Sequence, residues 1–163
     1  MKQLLILFAG LISVFALATV QANTPPDAST AGVNHTRGAE NQHSSFTVKD
    51  YGQDEGPDAV DTGNISYQNF TSGDQYNANV VCVRVFNGNQ ARFAFEVPPG
   101  NPDSGFWKVY AVKDGGEPGT NGDELGIDFE PNQSIACFAV NNPTAFPIPP
   151  TETITAGNIQ VHG

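Results

Sequence analysis

Glycine and proline interrupt this chain so often that a long helix has no room to form. Its 163 residues include 17 Gly and 12 Pro. From Ser45 onward they separate short runs of β-branched and aromatic residues. Proline removes a backbone donor and clashes within a helix, and glycine carries the largest loss of conformational freedom there. No stretch shows the apolar spacing of an amphipathic helix. The texture predicts an all-β domain over residues 45–163, a single antiparallel β-sandwich of about seven to eight strands.

The expected strands are Ser45–Lys49, Asn64–Phe70, Asn77–Phe86, Gln90–Val97, Phe106–Lys113, Leu125–Glu130, Ser134–Val140 and Asn158–Val161. Ala91, Phe93, Phe95 and Val97 alternate with Arg92, Ala94 and Glu96, and Leu125, Ile127 and Phe129 alternate with Gly126, Asp128 and Glu130. Such strands present one wet face and one buried face. Asn87-Gly88 suits a two-residue type I′ hairpin, whose central residues both need positive φ. That register pairs Cys82 with Phe93 and places the cysteine on the Phe93/Phe95 core face. A three-residue loop would turn it outward and put Val81, Val83 and Val85 inside.

The N-terminus carries a different signal. Lys2 precedes a nearly unbroken apolar run from Leu4 to Val20, and Val20-Gln21-Ala22 supplies small residues for cleavage after Ala22. This predicts a secretory signal peptide over 1–22, with no cysteine at the cleavage point to take a lipid anchor. Residues 23–44 are polar, with Pro25-Pro26 near their start, and show neither helical nor strand periodicity. They are expected to be a flexible polar leader. No later segment is apolar enough to span a bilayer, so the mature chain is expected to be secreted or periplasmic and off the membrane. The formal charge is −10 with His neutral, and cleavage removes one basic residue, Lys2, and no acidic one. Such a field repels nucleic acid and anionic membranes.

The two cysteines, Cys82 and Cys137, form an even pair in an exported chain and are expected to close one disulfide. They lack the C-x-x-C spacing of a metal site. Asp114, Glu117, Asp123 and Glu124 crowd one Gly-rich connection and are the candidate metal ligands, for calcium. Gly116 and Pro118 stand where an EF-hand needs side-chain oxygens, so a solvated turn explains the same residues.

Catalytic patterns are absent. The sequence has no G-x-S-x-G, and its histidines are His35 and His43, in the expected leader, and His162, next to the C-terminal residue. No catalytic residue is therefore expected. His35 and His43 with Glu40 between them could ligate a transition metal, but chance spacing in a flexible segment accounts for them. Among the aromatics, Trp107 shares a strand face with Val109 and Ala111 and is expected in the core. Tyr67, Tyr76 and Tyr110 remain, with Trp107, the candidate aromatic platform for a sugar ring, and Tyr110, beside Lys108, is its expected exposed ring. The N-x-S/T sequons at Asn34, Asn64, Asn69 and Asn132 are chance matches in an Asn-rich chain.

Three motifs occur in a fixed order: Val80-Val81-Cys82-Val83-Arg84-Val85 leading into Asn87-Gly88-Asn89-Gln90-Ala91, then Val112-Lys113-Asp114-Gly115-Gly116-Glu117-Pro118-Gly119 with Asp123, then Gly157-Asn158-Ile159-Gln160-Val161-His162. Together they resemble a small extracellular β-domain of bacterial secreted and cell-surface proteins, over roughly Gly63 to His162. The chain departs from that pattern at Gly116, where the family usually has Asn. The resemblance implies a β-fold and an extracellular place, and no catalytic activity. The expected function is a non-enzymatic secreted module, structural or adhesive, with an extracellular partner. The alternatives are a carbohydrate-binding module that meets a glycan through Tyr110, a calcium-stabilised domain, and last a hydrolase using paired acids.

Overall fold

The computed structural model describes residues 26–52, 61–116 and 122–163. The expected signal peptide, and Glu117 of the acidic loop, lie outside them. Among the described residues the strands are β1 (Asp27–Arg37), β2 (Glu40–Asp50), β3 (Thr62–Asn69), β4 (Gln75–Phe86), β5 (Gln90–Glu96), β6 (Trp107–Lys113), β7 (Glu124–Glu130) and β8 (Thr153–His162), with one helix, α1 (Gln133–Asn141), before β8. The chain thus adopts the expected all-β, antiparallel architecture. All eight strands belong to one sheet, in the order β7-β6-β5-β4-β3-β2-β1-β8. The sheet curls until β8 returns beside β7, where Leu125 and Glu152 form an isolated antiparallel bridge. The packed layers are opposite walls of this nearly closed barrel.

Alternation builds the interior. Val33, Phe46, Val48, Ile65, Phe93, Phe95, Tyr110, Val112, Leu125 and Ile159 are all buried in one cluster. Phe93 lies at its centre, with ring centroids 4.7 Å from Phe46 and 5.3 Å from Tyr110. Removal of these side chains from water drives closure, at roughly 25 cal/mol per Å² of apolar surface.

Four expectations are corrected. The described part of the flexible leader instead forms β1 and the first half of β2, whose second half is the expected strand Ser45–Lys49; the hairpin pairs Arg37 with Glu40 across a tight turn at Gly38 (φ 62) and runs in register to Asp27 and Asp50. Its strand period was masked because the inward positions include Ser29, His35, Gln42 and Ser44, all buried yet polar. Ser134–Val140 is helical. The Asn132 side chain caps α1 by accepting from the Ile135 N–H, as an N-cap residue does. Ala136, Ala139 and Val140, at helical spacing, pack on the outer face of the sheet.

The Asn87-Gly88 turn has the positive φ values expected of it, 56 and 75. The strands nevertheless pair from Phe86 to Gln90, which makes a three-residue loop. Val83 then faces Phe93 inside, and Cys82, opposite Ala94, points outward. A register shift near Val81 returns Val80 to the core, opposite Phe95. The fourth correction follows from the phase of β6: Lys108 and Tyr110 face inward and are buried, while Trp107 is only partly buried on the outer face.

The outward cysteine explains the second core. Cys82 bonds Cys137 of α1 across a Cα–Cα distance of 5.7 Å, and together with Ala94, Val109, Ala136, Ala139 and Val140 it forms a separate cluster. Arg92, also on the outer face, donates to the carbonyls of Ala139 (3.0 Å) and Phe146 (2.6 Å). Arg84 donates to that of Asn141 at 2.6 Å. Two guanidinium groups thus satisfy carbonyls at and beyond the C-terminus of α1, the negative end of the helix dipole.

Cys82→Ala with Cys137→Ala should cost about 4 kcal/mol by the chain-entropy argument. Hydrogen exchange should show α1 losing protection before the barrel strands do. Equal loss across β2 and β7 would contradict the division into two cores.

Candidate functional site

One end of the barrel is open. The mouth is a cavity of about 380 Å³ whose walls include Tyr67, Tyr76 and Phe129 and whose rim carries Arg37, Glu40 and Asp74. The β5–β6 connection contributes Asn101 and Asp103 from the other side. Inward alternation places each of these: Arg37 is two residues from His35 on β1, Gln42 two from Ser44 on β2, and Lys108 two from Tyr110 on β6.

The charges at the mouth are largely partnered. Lys108 is buried; its ammonium lies 2.8 Å from Asp103 and 4.8, 5.7 and 4.9 Å from the ring centroids of Tyr67, Tyr76 and Phe129. A carboxylate and three ring faces together replace the water that this cation gives up. Arg37 Nε lies 3.5 Å from Glu152 Oε1, and its guanidinium sits over Phe129. Glu40 accepts from Gln42 Nε2 (2.8 Å) and Asn69 Nδ2 (3.2 Å), and Asp74 accepts from the Ser72 hydroxyl at 2.5 Å. The Tyr76 hydroxyl is buried and has no partner among the described residues. Burial pushes the phenol of Tyr67 up to about 12 and that of Tyr76 higher still, so both stay protonated.

One layer deeper is a polar chain that the sequence did not suggest. His35 Nδ1 lies 3.0 Å from Glu152 Oε2, and His35 Nε2 lies 3.0 Å from Ser44 Oγ. Ser44 Oγ is in turn 3.2 Å from the Tyr110 hydroxyl. A carboxylate only accepts, so Nδ1 carries the proton. With a neutral ring, Ser44 donates to Nε2 and Tyr110 donates to Ser44. The order Ser–His–Glu matches the connectivity of a nucleophilic triad. Its setting does not: Ser44 is wholly buried in mid-strand, opposite Tyr67 and Val33 in the ladders. His35, expected in a flexible leader, is a buried core residue; His43 faces outward and its Nδ1 lies 2.7 Å from Asn34 Oδ1.

Of the candidate calcium ligands, Asp114, Asp123 and Glu124 are described, and each bonds within the protein. Asp114 Oδ2 accepts from the Val161 N–H (3.1 Å) and Oδ1 from the Gly116 N–H (2.7 Å). Asp123 Oδ2 accepts from the Ile159 N–H and Oδ1 from the Gly115 N–H, both at 2.9 Å. Glu124 pairs with Lys113 at 2.7 Å. These aspartates fasten the β6–β7 loop to the free edge of β8. Among the described residues, no three His, Cys, Asp or Glu side chains are placed to hold a metal ion. Tyr110, the candidate sugar platform, is fully buried and so cannot offer a face. Tyr67 and Tyr76 were aromatic candidates in the sequence, but Arg37, Glu40 and Gln42 fall in the expected leader, and Lys108 faces inward against the expected phase of β6. The nearest signal was the pair Tyr67 and Tyr76, which lie directly opposite each other across β3 and β4.

No family model, curated protein or solved structure matches this chain.

Three outcomes test these assignments. Asp123→Ala should destabilise the fold by about 1–3 kcal/mol by leaving the Ile159 N–H unpaired. The melting temperature of the wild type should be the same in chelator and in millimolar calcium; a rise with calcium would give these carboxylates a metal. His35→Leu should cost about 3–5 kcal/mol in urea unfolding, since it strips Glu152 of its closest partner in the interior.

Proposed function

We propose that the chain is a non-enzymatic, extracytoplasmic binding module that acts by adhesion, holding a ligand in the mouth of its barrel. The observation that carries this reading is a separation in depth. Groups able to do chemistry, Ser44, His35 and Glu152, are sealed beneath the mouth and spend their hydrogen bonds on one another. The concave, partly polar cavity above them is open. A nucleophile needs its electrophile within reach and donors for the developing oxyanion. A buried serine in mid-ladder has neither, whereas ligand sites combine a cavity of this size with a few fixed polar groups.

Location supports the same reading. A disulfide within the domain fits an oxidising compartment, and among the described residues no helix is long and apolar enough to cross a membrane. The secretory signal and the resemblance to cell-surface β-domains agree with export. The acidic surface keeps such a module off nucleic acid and anionic lipid, which leaves proteins and glycans outside the cell as partners.

A fluorophosphonate, which labels activated serines, should leave the folded, disulfide-bonded chain unmodified. Labelling at Ser44 that disappears in His35→Gln would replace the binding reading with a hydrolase.

A further inference from the structure

We propose that the barrel mouth is a subsite for a neutral sugar residue, and that Tyr76 supplies a hydrogen bond specific to it. This rests on the binding-module reading and names the ligand class for the same cavity. The rim is rich in acceptors. Glu40 and Asp74 each use one carboxylate oxygen on a neighbouring side chain, and Asn101 donates through Nδ2 to the Pro98 carbonyl at 3.0 Å. Their remaining oxygens call for a ligand that donates several hydrogen bonds.

The charges narrow the class. Both cations at the mouth already face a carboxylate, Arg37 on Glu152 and Lys108 on Asp103, while Glu40 and Asp74 add negative charge. An anionic ligand would meet this excess of negative charge at the rim. An ammonium ligand would want the ring cage, which the Lys108 ammonium occupies. A neutral polyol satisfies both limits, because its hydroxyls donate to carboxylates and amides without bringing charge. Its C–H faces suit the aromatic walls of Tyr67, Tyr76 and Phe129. The buried Tyr76 hydroxyl, without a partner among the described residues, can both donate and accept. A buried group of that kind is costly unless something bonds it.

The test uses the mature, disulfide-bonded chain labelled with ¹⁵N. It is titrated with neutral hexoses and N-acetylhexosamines, and separately with a hexuronate, with choline and with a fragment library. Neutral sugars should shift the amide signals of Tyr67, Tyr76 and Lys108. Tyr76→Phe should weaken that binding about tenfold and should not lower the melting temperature, since the lost hydroxyl has no partner among the described residues. Sugar binding that Tyr76→Phe does not alter would overturn the assignment of Tyr76. Mouth shifts caused by choline, hexuronate or a fragment but by no neutral sugar would overturn the sugar class and keep the binding module. No mouth shift with any probe would remove both.

Discussion

The barrel is closed by aspartate side chains as much as by strand pairing. Between β7 and β8 the ladder shrinks to one bridge and the carbonyl of Leu125, which accepts from Thr151 and Glu152. The free edge of β8 is met instead by Asp123 and Asp114, at the N–H groups of Ile159 and Val161. The same device recurs where β3 stops running beside β4. There Asp61 accepts from the Val83 N–H and Asp50 from the Val85 N–H, each at 2.7 Å. In both gaps the served residues are two apart, the repeat at which N–H groups along one strand point the same way. A carboxylate can take two donors, so each aspartate ties its own loop to a strand. Burial pushes the Asp61 carboxyl up, and the N–H bonds from Val83 and Tyr51 pull it back. Part of the chain's acidity is therefore internal joinery, not a solvating coat.

Closure forces the outer face of β4–β6 to find its own cover, because strands with apolar residues on both sides cannot leave one of them wet. Helix α1 supplies that cover. It is short, so propensity alone would not hold it; the disulfide, the Asn132 cap and the carbonyl bonds of Arg84 and Arg92 do. Arg92 is buried for this purpose, and burial lowers its pKa without threatening its charge.

Most strands were legible because their inward residues are apolar: Phe93 and Phe95, or Leu125 and Ile127, announce a period of two. The hairpin as far as Ser44 was illegible for the opposite reason, while Ser45–Lys49 alternates and reads as strand. His35, Gln42 and Ser44 occupy inward positions and look like surface until their partners Glu152, Glu40 and Tyr110 are known, and two of those lie far along the chain. The phase of β6 was ambiguous in principle, since Trp107-Val109-Ala111 and Lys108-Tyr110-Val112 both read as half apolar. What decided it was a cage for Lys108 assembled from β3, β4 and β7, which no local pattern contains. The hairpin loop length turned on the same kind of fact: only the helix beyond β7 gives an outward Cys82 something to bond.

The buried chain Tyr110–Ser44–His35–Glu152 and the open mouth are coupled by geometry. Glu152 is shared, with one oxygen on His35 and the other near Arg37 and the Thr151 hydroxyl. Arg37 is thus held from below by a carboxylate that His35 orients, and from the side by Phe129. A polar network in a core is worth keeping when it fixes one arrangement among several of similar packing. Here the arrangement it fixes is the rim of the cavity. An apolar interior at these positions would pack as well and leave Arg37 free to collapse across the mouth. The polarity that hid β1–β2 in the sequence is what gives the site its shape.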